Sequence, residues 1–161
     1  MDKQINDLVM SLAEKLENKG WMVTTAESCT GGAIAMNLTE AAGASAWFDA
    51  AFVTYSNRMK QKVLAVSEAT LTEFGAVSEP VVREMAEGAL QRAEADIAVA
   101  VSGIAGPGGG SAEKPVGTVC FGWACRGEAV MSATYYFGGD RHEVRQQAVV
   151  CALKGLISKI H

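Results

Sequence analysis

The residues of this chain that could do chemistry cluster first in the stretch VTTAESCTGG, residues 23–32. Its β-branched start predicts a strand, and the apolar segment after the glycines predicts a helix. The N-terminus of such a helix offers backbone N–H groups and a positive dipole end, which favour a phosphate or an oxyanion. Ser28 and Thr30 place hydroxyl groups where that anion would lie. The stretch therefore predicts an anion site, although Gly31 and Gly32 taken alone are equally typical of a tight turn.

A serine becomes a nucleophile when a neighbouring base takes its proton, and the chain offers few candidate bases for Ser28. Both histidines, His142 and His161, lie near the C-terminus, so a histidine triad is not favoured. A lysine can act as the base when burial lowers its pKa toward neutrality. Lys60 lies one turn into a predicted short helix that follows Tyr55. From the residues alone, an ordinary solvated lysine is the favoured interpretation of Lys60, and a catalytic base is the alternative.

A second glycine-rich loop, SGIAGPGGGS at residues 102–111, follows the apolar run Asp96–Val101. A continuous apolar run of this kind is typical of a strand that is buried on both faces of a sheet. Because open α/β sheets bind ligands outside the carboxyl ends of their strands, we expect Ser28 and Ser102 to share one crevice. The alternative is that the glycines only form turns.

Four other side chains have two possible roles each. Arg141 and Arg145 lie four residues apart, on one face of the last predicted helix, and could clamp a phosphate. A solvated charged face is the favoured alternative for both. Glu27 could orient a partner or cap the end of a strand. Cys29 is a rival nucleophile, because an adjacent helix N-terminus lowers the pKa of a thiol.

Composition limits the class of protein. The 161 residues predict one domain over 1–161, and a formal net charge of −4 argues against nucleic acid as a partner. The four cysteines and two histidines lack metal-ligand spacing, so we expect no metal site and reduced, mostly buried thiols. No stretch is typical of a signal peptide or of a membrane span, which favours a cytoplasmic protein without a membrane partner.

Hydrophobic periodicity and capping residues predict alternating helices and strands. An apolar stripe from Ile5 to Leu16 predicts a first helix, which Gly20 ends. Strands are predicted at 21–26, within 47–55, at 96–101, and as a hairpin at 116–124 and 129–137. The predicted N-caps of the later helices are Asn57, Ser67, Ser78 and Asp140. This order predicts a three-layer α/β/α domain with a mixed, mainly parallel central sheet.

Four segments taken together closely resemble the CinA C-terminal domain family. They are TAESCTGG (25–32), FVTYSN (52–57) with Lys60, GAVSE (75–79), and SGIAGPGGGS (102–111) with EKPVGTV (113–119). The resemblance covers nearly the whole chain after the first helix and includes the Gly139-Asp140-Arg141 segment. The family includes stand-alone nicotinamide-nucleotide amidases. The resemblance therefore implies hydrolysis of nicotinamide mononucleotide to nicotinate mononucleotide and ammonia, in pyridine-nucleotide salvage.

The resemblance also implies roles for particular residues. Ser28 would be the nucleophile and Lys60 its base, with Tyr55 assisting, and no metal or cofactor would be required. Backbone N–H groups near Thr30, Gly31 and Gly32 would hold the oxyanion. The residues implied in substrate binding are Thr30, Gly31, Gly32, Ser45, Asn57, Ser102, Gly103, Gly106, Gly108, Gly109, Arg141 and Arg145. Related proteins assemble, so we expect a homodimer or a larger homo-oligomer.

Two departures from the family pattern leave a second function open. Arg58-Met59 stands where the family usually has an acidic residue and a small one, directly before Lys60. The segment Phe137-Gly138-Gly139-Asp140 carries glycine where proline is common. Neither change removes a proposed catalytic group. The alternative function is a nucleotide-binding paralogue with weakened catalysis.

Overall fold

The computed structural model describes residues 2–161, which form a five-stranded sheet between two layers of helices. The strands are β1 (Val23–Glu27), β2 (Phe52–Val53), β3 (Ile97–Gly103), β4 (Thr118–Cys125) and β5 (Met131–Tyr136). The helices are α1 (Asp2–Lys19), α2 (Ala33–Thr39), α3 (Asn57–Leu64), α4 (Glu68–Phe74), α5 (Glu79–Arg92) and α6 (Arg141–Lys159). A short 3-10 helix, Ala44–Ala46, lies between α2 and β2. No helix within residues 2–161 combines the length and the apolarity needed to cross a membrane.

The strand order in the sheet is β2-β1-β3-β4-β5. The β1 strand pairs in parallel with both β2 and β3, whereas β4 is antiparallel to β3 and to β5. Four of the five strands therefore run in one direction, which confirms the mixed, mainly parallel sheet. The chain passes from β1 to β2 on one side and then to β3 on the other. This arrangement makes the carboxyl end of β1 a topological switch point, where α/β sheets bind ligands.

Alternation along the buried strand β3 explains why both faces of the sheet are covered. Ile97, Val99 and Val101 pack into one core with α1, α2 and α6. Ala98 and Ala100 face the second core, which α3, α4 and α5 supply. Because successive strand residues point to opposite faces, one continuous apolar run serves both helix layers. The three-layer α/β/α prediction is thereby confirmed.

Several predicted boundaries differ from the observed ones. The strand predicted within 47–55 pairs only at Phe52–Val53, because the segment before it forms the 3-10 helix and a single bridge at Phe48. The predicted N-cap Asn57 is wrong, since the Ser56 hydroxyl accepts the cap hydrogen bond from the Met59 N–H. The other predicted strands are confirmed with ends shifted by one or two residues. Propensity locates an element better than it locates the last residue that pairs.

Candidate active site

The carboxyl ends of β1, β2 and β3 meet at one edge of the sheet, where a pocket of about 190 Å³ opens. Ser28 and Ser102 both line it, so the expectation that the two hydroxyl-bearing strand ends share a crevice is confirmed. The full lining is Ser28, Cys29, Tyr55, Lys60, Ala76, Val77, Ser102, Gly103, Ala105 and Arg141.

Two of the larger cavities that lie elsewhere lack a comparable pair of reactive groups. One, of about 490 Å³, lies between the end of α5 and the β4–β5 turn, and another, of about 560 Å³, lies under β5. Within residues 2–161, no hydrogen bond in either cavity joins a nucleophile to a base. The pocket at the switch point is therefore the candidate active site, although it is the smallest of the three.

The backbone of Ser28 is held on both sides. Its N–H donates to the Val101 carbonyl at 3.1 Å, which extends the β1–β3 pairing by one residue. Its own carbonyl accepts from the Gly31 N–H at 3.0 Å, which closes the turn. Gly31 and Gly32 have φ angles of 60° and 100°, a conformation that glycine adopts without steric cost. Ser28 thus lies at a defined strand-to-helix corner.

Lys60 lies beside Ser28 and is only 1% exposed. Its Nζ atom lies 2.9 Å from Ser28 Oγ, 2.7 Å from the Thr54 carbonyl oxygen and 3.2 Å from the Tyr55 carbonyl oxygen. Burial lowers the pKa of Lys60 to about 8. In the neutral amine, two N–H groups can donate to the two carbonyls while the lone pair accepts the Ser28 hydroxyl proton. The solvated lysine that the residues alone favoured is therefore wrong.

The unusual Arg58-Met59 pair does not displace this lysine. The Met59 N–H donates to the capping hydroxyl of Ser56 at 3.1 Å, and the Lys60 N–H donates to the Ser56 carbonyl at 3.0 Å. The first turn of α3 is thus formed, and Arg58 lies exposed on it.

Tyr55 and Arg141 lie at the mouth of the pocket. The Tyr55 side chain is 64% exposed, and its hydroxyl lies 3.5 Å from Arg141 Nη2. Arg141 Nη1 donates to the Gly106 carbonyl at 2.8 Å, which ties α6 to the glycine-rich loop. Lys60 contacts Ser28 directly, so a relay through the Tyr55 hydroxyl is not needed. Tyr55 contacts the lysine through its backbone carbonyl.

Arg145 lies on the same helix as Arg141, but its guanidinium binds a backbone carbonyl of the protein. Its Nη2 donates to the Thr30 carbonyl at 3.1 Å, and a Cβ atom added to Gly31 would lie 2.9 Å from that nitrogen. The Arg145 Nε atom is buried without a hydrogen-bond partner among residues 2–161. Arg145 supports the turn after Ser28 and does not line the pocket.

Glu27, which directly precedes Ser28, is completely buried. Its Oε1 accepts from the Thr30 hydroxyl at 2.7 Å and the Ile34 N–H at 3.0 Å. Its Oε2 accepts from the Thr25 hydroxyl at 3.0 Å and the Ala35 N–H at 2.9 Å. The N-terminus of α2, which the sequence suggested as an anion site, therefore holds a carboxylate of the protein itself. The N–H groups of Ile34 and Ala35 are therefore not available to a ligand, whereas this carboxylate does not accept from the N–H groups of Thr30 and Gly32.

Burial disfavours Cys29 as the nucleophile. It raises the pKa of the Cys29 thiol to about 11, so the expected lowering by the helix N-terminus does not occur. The reactive thiolate form is rare at neutral pH.

Some predicted binding residues lie away from the pocket. Ser45 is exposed in the 3-10 helix, two residues before Trp47, whose carbonyl accepts from the N–H of Val23 at the opposite end of β1. Asn57, Gly108 and Gly109 are exposed and do not line the pocket. The positions of these residues along the sequence do not show that they lie away from the pocket.

The apolar part of the pocket lining has no reactive side chain, and its signal in the sequence was its place in the resembling segments 75–79 and 102–111. Ala76, Val77 and Ala105 form this part of the wall. Ala76 and Val77 come from the link between α4 and α5, and neither side chain carries a reactive group. Within residues 2–161, no cluster of three or more His, Cys, Asp or Glu side chains could hold a metal ion.

Comparison with known proteins finds a family profile and relatives that cover nearly the whole chain. The sequence profile of the CinA C-terminal domain matches residues 5–160. The chain belongs to the CinA C-terminal domain family. A relative from Enterobacter agglomerans, named nicotinamide-nucleotide amidohydrolase PncC, is 58% identical over 153 residues, covering 95% of this chain and 93% of its own. A relative of the same name from Escherichia coli is 54% identical over 156 residues, covering 96% and 94%.

A solved structure supports the family assignment at the level of the fold. The competence/damage-inducible protein CihA from Agrobacterium tumefaciens superposes with a TM-score of 0.94 at 49% identity. The match covers 96% of this chain and 94% of that one. The resemblance drawn from the four sequence segments is confirmed, and so is the α/β/α fold that it implied.

Proposed function

We propose that this protein hydrolyses the carboxamide of nicotinamide mononucleotide, giving nicotinate mononucleotide and ammonia. The observation that carries the proposal is the 2.9 Å contact between the Lys60 Nζ and Ser28 Oγ atoms inside the switch-point pocket. A serine with a buried amine base is suited to acyl transfer from an amide. The substrate is proposed from the names of relatives that are 54% and 58% identical over nearly their full length.

In the first step, the neutral Lys60 amine takes the Ser28 hydroxyl proton while Oγ attacks the carboxamide carbon. The carbonyl oxygen becomes an oxyanion. The proposed donors to it are the N–H groups of Thr30 and Gly32, since the Gly31 N–H already donates to the Ser28 carbonyl. A single donor of this kind supplies roughly 3–4 kcal/mol in enzymes where its removal has been measured.

In the second step, the tetrahedral intermediate collapses and the C–N bond breaks. The protonated Lys60 gives its proton to the leaving nitrogen, which departs as ammonia and leaves an ester on Ser28. Lys60 is neutral again and can take a proton from the water that attacks this ester. The bond between Ser28 Oγ and the acyl carbon then breaks, Lys60 returns its proton to Oγ, and the acid product leaves. The residues of this chain thus account for every proton that moves.

Arg141 is the proposed ligand of the substrate phosphate. The pocket is smaller than the roughly 300 Å³ at the lower end of ligand pockets, so it encloses only part of a nucleotide. The pyridine carboxamide would lie inside and the ribose phosphate at the mouth, where Arg141 stands. Arg145 is the weaker candidate, because its guanidinium already binds the Thr30 carbonyl.

The proposed setting is a cytoplasmic enzyme of pyridine-nucleotide salvage that works as a homodimer or a larger homo-oligomer. The four cysteines are free thiols, as is typical of a reducing compartment. The assembly state is a prediction that sedimentation of the purified protein would test.

The test is ammonia release from nicotinamide mononucleotide by the purified protein, with chromatographic detection of the acid product. We expect turnover by the wild-type protein and none by Ser28→Ala at equal concentration. If the nucleotide binds but no ammonia is released, the nucleotide-binding paralogue is the correct alternative.

A further inference from the structure

Glu27 is a buried ionisable group that the proposed reaction does not use. Its carboxylate is fully enclosed and accepts four hydrogen bonds, two on each oxygen. Neither Ser28 Oγ nor Lys60 Nζ is among the four donors described for it. Burying a charged side chain lowers the stability of a protein unless hydrogen bonds compensate for the lost water. The four hydrogen bonds supply that compensation, and their arrangement indicates a role for Glu27.

We propose that Glu27 is a positioning residue for the nucleophile: its carboxylate closes residues 27–35 into a ring that holds Ser28 at the strand-to-helix corner. The inference rests on the proposed function only in taking Ser28 as the attacking group. The ring begins at the end of β1, crosses the turn to Thr30 and ends on the first turn of α2 at Ile34 and Ala35.

Residues 27–35 need these hydrogen bonds because the turn and the short helix contribute little stability of their own. The N-cap of α2 is Gly32, which has no side chain to accept an N–H of the first turn. The helix has only seven residues, and a helix of this length is unstable without tertiary contacts. Two glycines in the left-handed region complete the turn. The carboxylate of Glu27 takes the place of the missing cap and connects three otherwise flexible pieces.

The pattern of donors requires a carboxylate, because a carboxamide cannot satisfy it. Each oxygen faces one hydroxyl, from Thr25 or Thr30, and one backbone N–H, from Ile34 or Ala35. In Glu27→Gln, the new NH2 group must face one of the two backbone N–H groups in either orientation of the amide. A hydroxyl can rotate away, but a helical N–H cannot. The substitution therefore shifts the turn while changing almost no volume.

The test compares Glu27→Gln with the matched control Glu40→Gln, which changes an exposed acid at the other end of α2. Two rates are measured on folded protein: ammonia release from nicotinamide mononucleotide, and labelling of Ser28 by a fluorophosphonate, which needs no substrate recognition. We expect Glu27→Gln to lower kcat and the labelling rate by roughly 10- to 100-fold, since a displacement near 1 Å costs about that much. KM and the pH at which activity levels off should not change, and Glu40→Gln should match the wild type.

Three outcomes would overturn the inference. If Glu27→Gln leaves kcat and the labelling rate per folded molecule unchanged, Glu27 has a purely structural role. If Glu27→Gln instead shifts the pH profile of activity, Glu27 acts on the ionisation of Lys60. A wild-type protein that neither labels nor turns over would remove the nucleophile itself. Labelling without turnover would reject only the proposed substrate, and the labelling rates would still decide the role of Glu27. If Glu27→Gln does not fold, Thr25→Val, which removes one donor at nearly constant volume, should show a smaller fall in both rates.

Discussion

Replacing Lys60 by methionine removes the amine but keeps an unbranched apolar chain in the buried position beside Ser28. Burial lowers the pKa of Lys60 from 10.5 to about 8, and only the uncharged amine can take the serine proton. At pH 7 about a tenth of the wild-type enzyme carries that form. We therefore expect kcat/KM to rise nearly tenfold per pH unit below pH 8 and to level off above it. Lys60→Met should lose roughly 100- to 10,000-fold in kcat.

The same shift in pKa predicts how stability depends on pH. Between pH 8 and 10.5 the unfolded chain holds a proton on Lys60 that the folded protein has released. The stability contributed by this group is therefore lowest below pH 8, rises with pH through the window and is fully recovered above 10.5. The free energy of unfolding of the wild type, relative to Lys60→Met, should rise by about 2 kcal/mol between pH 7 and pH 9.5.

The assays are ammonia release across pH 6 to 10 and urea unfolding of both proteins at the two pH values. The free energy of unfolding of Lys60→Met is subtracted from that of the wild type at each pH, so that the contributions of the other titrating groups cancel. Those groups include the thiols of Cys29 and Cys151, whose pKa values burial raises to about 11. Lys62→Met, on the exposed side of α3, is the control and should change neither quantity. A flat pH–rate profile below pH 8, or turnover in Lys60→Met close to that of the control, would refute Lys60 as the base.

Three further predictions test other parts of the site and its support. Ser28→Ala should abolish ammonia release, while Cys29→Ala should keep most of it; the reverse pattern would make the thiol the nucleophile. Arg141→Ala should raise KM for nicotinamide mononucleotide roughly tenfold, as expected for one lost charge-assisted contact, and leave kinetics with nicotinamide riboside, which lacks the phosphate, unchanged. In Gly88→Ala the new Cβ would collide with a backbone carbonyl of α3, so Tm should fall by roughly the equivalent of 1–3 kcal/mol. Gly108→Ala, where no atom lies within 4 Å, should leave Tm unchanged.

Local patterns identified the elements because they depend on neighbouring residues. The apolar stripe from Ile5 to Leu16 predicted α1, and the N-cap residue Asp140 predicted the start of α6, where the structure shows a capping box with Glu143. The unbroken apolar run after Asp96 predicted a strand covered on both faces, which is β3. The predicted strand β2 was too long, because the aromatic residues Trp47 and Phe48 satisfy strand propensity but form only a turn after the 3-10 helix and a single bridge.

The candidate site was predictable in part. Ser28 and Ser102 were placed together by the rule that parallel strands end at one edge of a sheet, and both line the pocket. Ser45 and Arg145 are chemically suited to a nucleotide, but one lies near the far end of β1 and the other holds the Thr30 carbonyl. Residue type and spacing do not distinguish a group that faces a ligand from one that the protein uses itself.

The sequence by itself determined the order of helices and strands, the strand-end positions of the reactive groups, and a resemblance to one family. Only the tertiary structure decided which of those groups act on one another. Lys60 is the proposed base because folding takes it out of water and brings its amine to 2.9 Å from a hydroxyl 32 positions away. Two N–H groups in the first turn of α2, those of Ile34 and Ala35, are not free for a ligand because the Glu27 carboxylate accepts from them. A pKa depends on desolvation and on distances through space, and neither quantity exists until the chain has folded.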